Sequence, residues 1–183
     1  MLPDDAIITP AAADLARQLG IAMGKTEVPP PLPPSKEGGR VALGADHGGF
    51  SLKESLKKVV AELGFEVADL GCDSTEAVDY PVFAARVAES VASGEAVFGI
   101  MVDGAGIGSS MVANKIAGVR AALCYDLTTA KNAREHNNAN VLTLGGGLVG
   151  ERLAAEIATT FLSTAFGGGR HARRVAMIDA LDS

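Results

Sequence analysis

The sequence predicts an α/β fold: a doubly wound five-stranded parallel sheet, Rossmann-like, in a single domain with an N-terminal helical extension. Three observations predict it. From Arg40 onward, five short apolar runs alternate with amphipathic helical stretches, the mark of repeated βα units. Glycine clusters punctuate that alternation at residues 48–49, 104–108, 145–147 and 167–169. The chain has 183 residues, 48% of them apolar, which bounds it to one domain or one domain with an appendage.

The appendage is residues 1–39. Thr9-Pro10 reads as an N-cap followed by proline at the first helical position. Ile8, Ala12, Leu15, Leu19 and Met23 recur at helical spacing, which predicts an amphipathic helix over 7–23. From Val28 to Ser35 the chain is a polyproline-type spacer. A helix this short is marginal alone in water, so its apolar stripe needs a partner, either the main domain or another protein.

Residues 40–183 carry the regular pattern. Val41–Ala45 is the first strand. Asp46-His47-Gly48-Gly49 turns the chain, and Ser51 is expected to cap a helix with Leu52, Leu56, Val59, Val60 and Leu63 inward. Phe65–Leu70 is the second strand, Cys72 to Asp79 a polar loop, and Tyr80-Pro81 opens a helix bearing Phe83, Val87 and Val91. Phe98–Val102 is the third strand. It ends in Asp103 and the turn Gly104-Ala105-Gly106-Ile107-Gly108, after which Ser109 and Ser110 are expected helix caps. Val119–Cys124 is the fourth strand, Leu127–Glu135 a helix ending in His136-Asn137-Asn138, and Val141–Leu144 the fifth strand. Gly150–Phe166 forms a helix with Leu153, Ile157, Phe161 and Leu162 as its stripe. Gly167–His171 is a loop before a last helix over Ala172–Leu181. Ligands on such sheets bind at the carboxyl ends of the strands.

Composition narrows the function. A net charge of −6 argues against a nucleic-acid surface and against a polybasic membrane patch, so an anionic substrate requires a local basic cluster. The two cysteines, Cys72 and Cys124, read as free thiols in a reducing cytoplasm. No apolar run is long enough to span a bilayer, and Asp4 and Asp5 do not suit a secretory signal. No C-x-x-C or H-x-x-x-H spacing points to a metal. The glycine turn follows the third strand rather than the first, and there is no Walker lysine, so a nucleotide cofactor is disfavoured.

The residues with chemistry sit where the strand rule puts a site. Asp46 and His47 follow strand one; Asp103 and the glycine turn follow strand three. A strand ending in a carboxylate and running through glycines into a helix start suits an anion, because the backbone comes close and the first helical N–H groups lack internal partners. All three histidines, His47, His136 and His171, lie in loops or at helix ends. Arg170, His171, Arg173 and Arg174 form a basic cluster behind three glycines, suited to clamping a phosphate.

Together these residues resemble the ribose-5-phosphate isomerase type B family, which also contains the galactose-6-phosphate isomerase subunits. The matching stretches are Gly44–Phe50, Asp79-Tyr80-Pro81, Gly104–Gly108, Ala113-Asn114-Lys115, His136-Asn137 and Gly168–His171 with Arg174. The resemblance runs from about residue 40 to the end. It implies an aldose–ketose isomerase acting on a phosphorylated sugar, ribose 5-phosphate first, through a cis-enediolate and without metal or organic cofactor. It implies His136 as the ring-opening acid/base with Asp46 nearby. The N–H groups of Gly104, Ala105, Gly106 and Gly108, with Ser109 and Ser110, would hold the enediolate oxygens. His47, Arg170 and Arg174 would bind the phosphate, and Tyr80 and Asn137 would line the sugar site. It also implies a site shared between subunits, hence a homodimer or tetramer.

The match departs from the family at the base. Asp103 stands where one branch has a proton-abstracting cysteine, Ser109 stands where a second branch has a glutamate, and Ala105 replaces a threonine. Two readings follow: Asp103 is itself the base, or the site isomerises another sugar phosphate, of tetrose or galactose 6-phosphate type. A non-catalytic sugar-phosphate-binding protein on this fold is the competing class. Residues 1–39 resemble the encapsulation peptides of bacterial microcompartment enzymes, which implies a shell protein as partner for residues 7–23 and a place inside such a compartment.

Overall fold

The structure, a computed structural model, describes residues 39–182. The helix expected over 7–23 and the spacer Val28–Ser35 lie outside the described residues. Five strands, β1 (Arg40–Ala45), β2 (Glu66–Asp69), β3 (Phe98–Asp103), β4 (Ala121–Leu123) and β5 (Val141–Gly145), form one parallel sheet in the order β2-β1-β3-β5-β4. The helices are α1 (Phe50–Glu62), α2 (Tyr80–Ala92), α3 (Ile107–Ala113), α4 (Leu127–Asn137), α5 (Glu151–Ser163) and α6 (Arg170–Asp179). The doubly wound fold expected from the βα alternation is therefore present.

Each face of the sheet has its own core. Val41, Leu43, Phe98, Ile100, Val102, Leu142 and Leu144 point to one side and pack with Leu52 and Leu56 of α1 and Ile157, Phe161 and Leu162 of α5. Ala42, Met101 and Val141 point to the other, under Ala84, Val87, Ala88 and Val91 of α2. The second face is lined by small residues because α2 lies close: a Cβ on Gly44 or Gly99 would come within 2.5 Å and 2.7 Å of the Val87 methyls. β3 and β5 are buried along their whole length, as expected of central strands covered on both faces.

Several local expectations are corrected. Ser51 lies inside α1, whose N-cap is Gly49; a Cβ there would sit 2.2 Å from the Val102 carbonyl oxygen, so glycine lets α1 start directly on β3. Ser109 and Ser110 are not caps either: α3 starts at Ile107 after Gly106, which is left-handed at φ 76°. The fourth strand is only Ala121–Leu123, at the edge of the sheet, although the flanking Arg120 carbonyl and Cys124 N–H still bond to the chain of β5. Leu153 is exposed, and Ala154 and Ala158 take the inward positions of α5. The last helix begins at Arg170, so Arg170 and His171 occupy its first turn rather than a loop.

Sheet topology fixes where a ligand goes. β1 connects outward to β2, whereas β3 lies on its other side and leads to β5 and β4, so the winding reverses between β1 and β3. The crevice above the carboxyl ends of those two strands is the expected ligand position. Ala45 pairs with Val102, which sets Asp46 and Asp103 level with each other at that point.

Candidate active site

Asp46, the first residue beyond β1, is buried. Its Oδ1 accepts the Gly49 N–H at 3.0 Å, and its Oδ2 accepts no hydrogen bond among the described residues. The half-exposed His47 ring lies 4.0 Å from that oxygen, with Nδ1 3.2 Å from both the N–H and the carbonyl of Val78. The Cβ position of Gly48 is 3.4 Å from both Asp46 Oδ1 and the Gly104 nitrogen, so the two turns share one crevice. Tyr80, at the start of α2, leans over Gly108; any side chain there would run into the phenol at 2.5 Å.

Asp103 closes the turn on itself. Its Oδ1 accepts the N–H groups of Ala105, at 2.8 Å, and Gly106; its Oδ2 accepts the Ser109 N–H, at 3.0 Å, and the Ser109 hydroxyl. Four donors fill the four lone-pair positions of a carboxylate, and both Asp103 and Ser109 are buried. Three of the N–H groups expected to face a substrate thus face Asp103. Ile107 and Gly108 remain as first-turn N–H groups with no intrahelical partner by position. Tyr125, on the loop after β4, donates its hydroxyl to the Ala105 carbonyl at 2.8 Å and steadies the turn from outside.

The other expected site residues stand elsewhere. α4, capped by Asp126 accepting from the Thr129 N–H at 2.8 Å, leaves the carboxyl end of β4 and runs back along the sheet. It delivers the chain to Val141, which pairs with Gly99 at the opposite end of β3 from Asp103. His136 and Asn137, in its last turn, therefore lie at the amino-terminal edge of the sheet. The stretch Gly167–Gly169 joins that edge through the Gly167 N–H to the Glu135 carbonyl at 2.8 Å. It brings His171 onto His136, rings stacked at 4.3 Å and within 4° of parallel, with Arg170 Nε 3.5 Å from His171 Nε2. Partial desolvation in the stack, then the charges of His136, Arg170 and Arg174, hold the His171 pKa below the ordinary imidazole value. Asn132 Nδ2 lies 2.8 Å from His136 Nδ1.

A single chain therefore gathers Asp46, His47, Tyr80, Asp103, Gly104, Ala105, Gly106, Gly108 and Ser109 on one rim and His136, Asn137, Arg170 and Arg174 on another. An α4 of 11 residues spans about 16 Å, which keeps the two apart. Asn132 and Tyr125 are additions that the sequence had not singled out as site residues, and His171, read there as part of the basic cluster, stacks on His136. Asn132 is visible only as an i, i+4 partner of His136. Burial pushes the Cys124 thiol up to about 11, partly offset by a Thr129 hydrogen bond, so it is no thiolate nucleophile at neutral pH. Among the described residues no cluster of His, Cys, Asp or Glu could hold a metal ion, and no described helix is long and apolar enough to cross a membrane.

Carboxylates and donor N–H groups on one rim, with imidazoles and arginines on the other, define a protein that handles a small anionic substrate by acid–base chemistry. A sequence model of the Ribose/Galactose Isomerase family matches residues 41–178, and the chain belongs to that family. It is 43% identical over 143 residues to ribose-5-phosphate isomerase B of Escherichia coli, covering 78% of this chain and 96% of that one. It is 39% identical over 139 residues to D-erythrulose-4-phosphate isomerase of Pectobacterium atrosepticum, covering 75% and 91%. Type B ribose 5-phosphate isomerase of Trypanosoma cruzi superposes with a TM-score of 0.77 at 47% identity, covering 79% of this chain and 97% of that one. The Clostridium thermocellum ribose-5-phosphate isomerase B gives 0.76 at 45% identity, with 78% and 97% covered.

Proposed function

We propose that the chain is an aldose–ketose isomerase that converts ribose 5-phosphate to ribulose 5-phosphate through a cis-enediolate. The observation that carries this reading is the pair of half-sites, an acid–base rim at the β1/β3 switch point and a phosphate-binding rim at the opposite edge. A homodimer or larger assembly joins them, the first rim of one copy meeting His136, Asn137, Arg170 and Arg174 of a second. His47, Arg170 and Arg174 hold the phosphate, Tyr80 and Asn137 line the sugar, and His136 serves ring opening. The proton leaves C2 as the enediolate forms and is returned at C1, while N–H groups of the glycine turn receive the oxyanion.

The two carboxylates divide the work. Asp103, which stands where the family resemblance puts the base, has its lone-pair positions filled and holds the turn in shape. Asp46 keeps an oxygen open toward the crevice and is the proton acceptor of this proposal, as glutamate is in triosephosphate isomerase. The D-erythrulose-4-phosphate isomerase relative favours a second substrate class, tetrose phosphates. In this reading residues 40–183 are the isomerase domain. Residues 1–39 are a targeting segment, with residues 7–23 docking to a microcompartment shell protein. A coupled assay over pentose, tetrose and hexose phosphates tests the activity. Turnover of ribose 5-phosphate is expected, and binding without turnover of any aldose phosphate would overturn it.

A further inference from the structure

A chain of three side chains leads along α4 to His136. Asn137 Nδ2 lies 3.4 Å from Asn132 Oδ1 and also 3.4 Å from the Asn132 carbonyl, and Asn132 Nδ2 lies 2.8 Å from His136 Nδ1. An amide has one acceptor end and one donor end. With its oxygen receiving from Asn137, Asn132 turns its NH2 toward the imidazole, so His136 Nδ1 is the acceptor and the ring proton sits on Nε2. The His171 ring, stacked at 4.3 Å, closes one face of the imidazole and fixes its plane. Among the described residues no other group hydrogen-bonds to either His136 ring nitrogen.

We infer that Asn132 is a positioning residue that holds His136 as the neutral Nε2–H tautomer, so that His136 acts in ring opening as a hydrogen-bond donor and not as a base. This rests on the ring-opening role proposed above. Protonating Nδ1 would set it against the Asn132 NH2 and would require the amide to flip away from Asn137. In the step itself, the C1–O bond to the ring oxygen breaks and the carbonyl forms at C1. The proton lost from the C1 hydroxyl is the proton gained by the former ring oxygen. His136 polarises that oxygen through Nε2–H and ends the step with its own proton in place, the part a neutral histidine plays in triosephosphate isomerase.

The chain has three histidines, so imidazole 15N spectra of the full-length protein can be assigned by single His→Gln variants. At a pH where His136 is neutral, the unmodified protein is expected to carry the proton on Nε2. Asn132→Asp, which offers acceptors only, is expected to move it to Nδ1, and Asn132→Leu to leave a mixture. The kinetic arm compares two substrates. Ribose 5-phosphate closes a furanose ring, whereas a tetrose 4-phosphate has its C4 oxygen esterified and closes none. Asn132→Asp should lower ribose 5-phosphate turnover by about tenfold or more and change tetrose 4-phosphate turnover less than about twofold. An Nδ1–H tautomer in the unmodified protein, a proton that stays on Nε2 in Asn132→Asp, or equal loss on both substrates would overturn the inference. If the unmodified protein turned over neither sugar, the proposed function would fail, while the spectra would still decide the tautomer.

Discussion

The Ser109 hydroxyl and the Ser109 N–H both donate to the same oxygen of Asp103, six residues earlier in the chain. The carboxylate that ends β3 is thereby the staple of the turn that follows it. A turn held this way is rigid before substrate arrives, which is what oxyanion donors require.

Removing that staple should cost stability before chemistry. Asp103→Asn puts an NH2 where N–H groups already point, and a loss of about 2–4 kcal/mol in urea unfolding is expected. Ser109→Ala removes one donor and should cost about 1–2 kcal/mol. Asp46→Asn should unfold near the unmodified midpoint yet lose about 10²–10⁴-fold in turnover, read together with loss of solvent-proton exchange at C2. Full turnover in Asp46→Asn would move the base assignment back to Asp103.

The role proposed for Arg170, holding the phosphate, is read in KM. Arg170 is exposed in the first turn of α6 beside His171. Arg170→Ala should raise KM for ribose 5-phosphate about tenfold or more, the worth of one charge-assisted hydrogen bond, with unfolding unchanged. An unchanged KM would mean that Arg170 is a solvated helix start.

Arg134 ties the end of α4 into the core. Its guanidinium is buried between the Phe98 and Phe161 rings and donates to the Thr164 and Ala139 carbonyls and to Asn138 Oδ1. Burial, with the nearby Arg120 charge, lowers its pKa to about 10, so it stays charged at neutral pH. Arg134→Leu orphans three acceptors beside His136 and should cost about 3 kcal/mol or more in denaturant unfolding.

Acid sensitivity should come partly from Asp69. Partial burial works to raise its pKa, but hydrogen bonds from Lys53, Lys57 and the Gly71 N–H outweigh that and hold it below the ordinary carboxylate value. A carboxyl whose folded pKa is depressed contributes stability that is present above its unfolded pKa and lost as pH falls through the folded one. Unfolding free energy should therefore decline below about pH 4. The decline should be shallower in Asp69→Asn, as followed by urea titration at stepped pH. An identical slope in the two proteins would remove Asp69 from the account.

The fold was legible in the sequence because strand runs and helix stripes obey periodicities that burial enforces, as in Phe98–Val102 and in Ile157, Phe161 and Leu162. The site residues were legible as types and as loop positions. Their partners were not. Ser109 reads as a helix cap from its neighbours, and only the left-handed Gly106 moves the helix start back and turns Ser109 toward Asp103. The burial of Lys53 has no local signal in the sequence. Lys53 is buried because Asp69 and the Cys72 carbonyl, both distant in sequence, receive its ammonium at 2.8 Å. The separation of His136 from Asp46 depends on the direction of α4 against a parallel sheet, which no local pattern records.

That separation carries the central claim, that a working site takes one rim from each of two copies. Co-expression of Asp46→Asn with His136→Ala tests it most directly, since each variant spoils a different rim and is expected to be inactive alone. Random pairing makes half the dimers mixed, and each mixed dimer holds one intact site, so about a quarter of the unmodified activity should return. Mixed dimers that form and fold but show no activity above the two parents would contradict it.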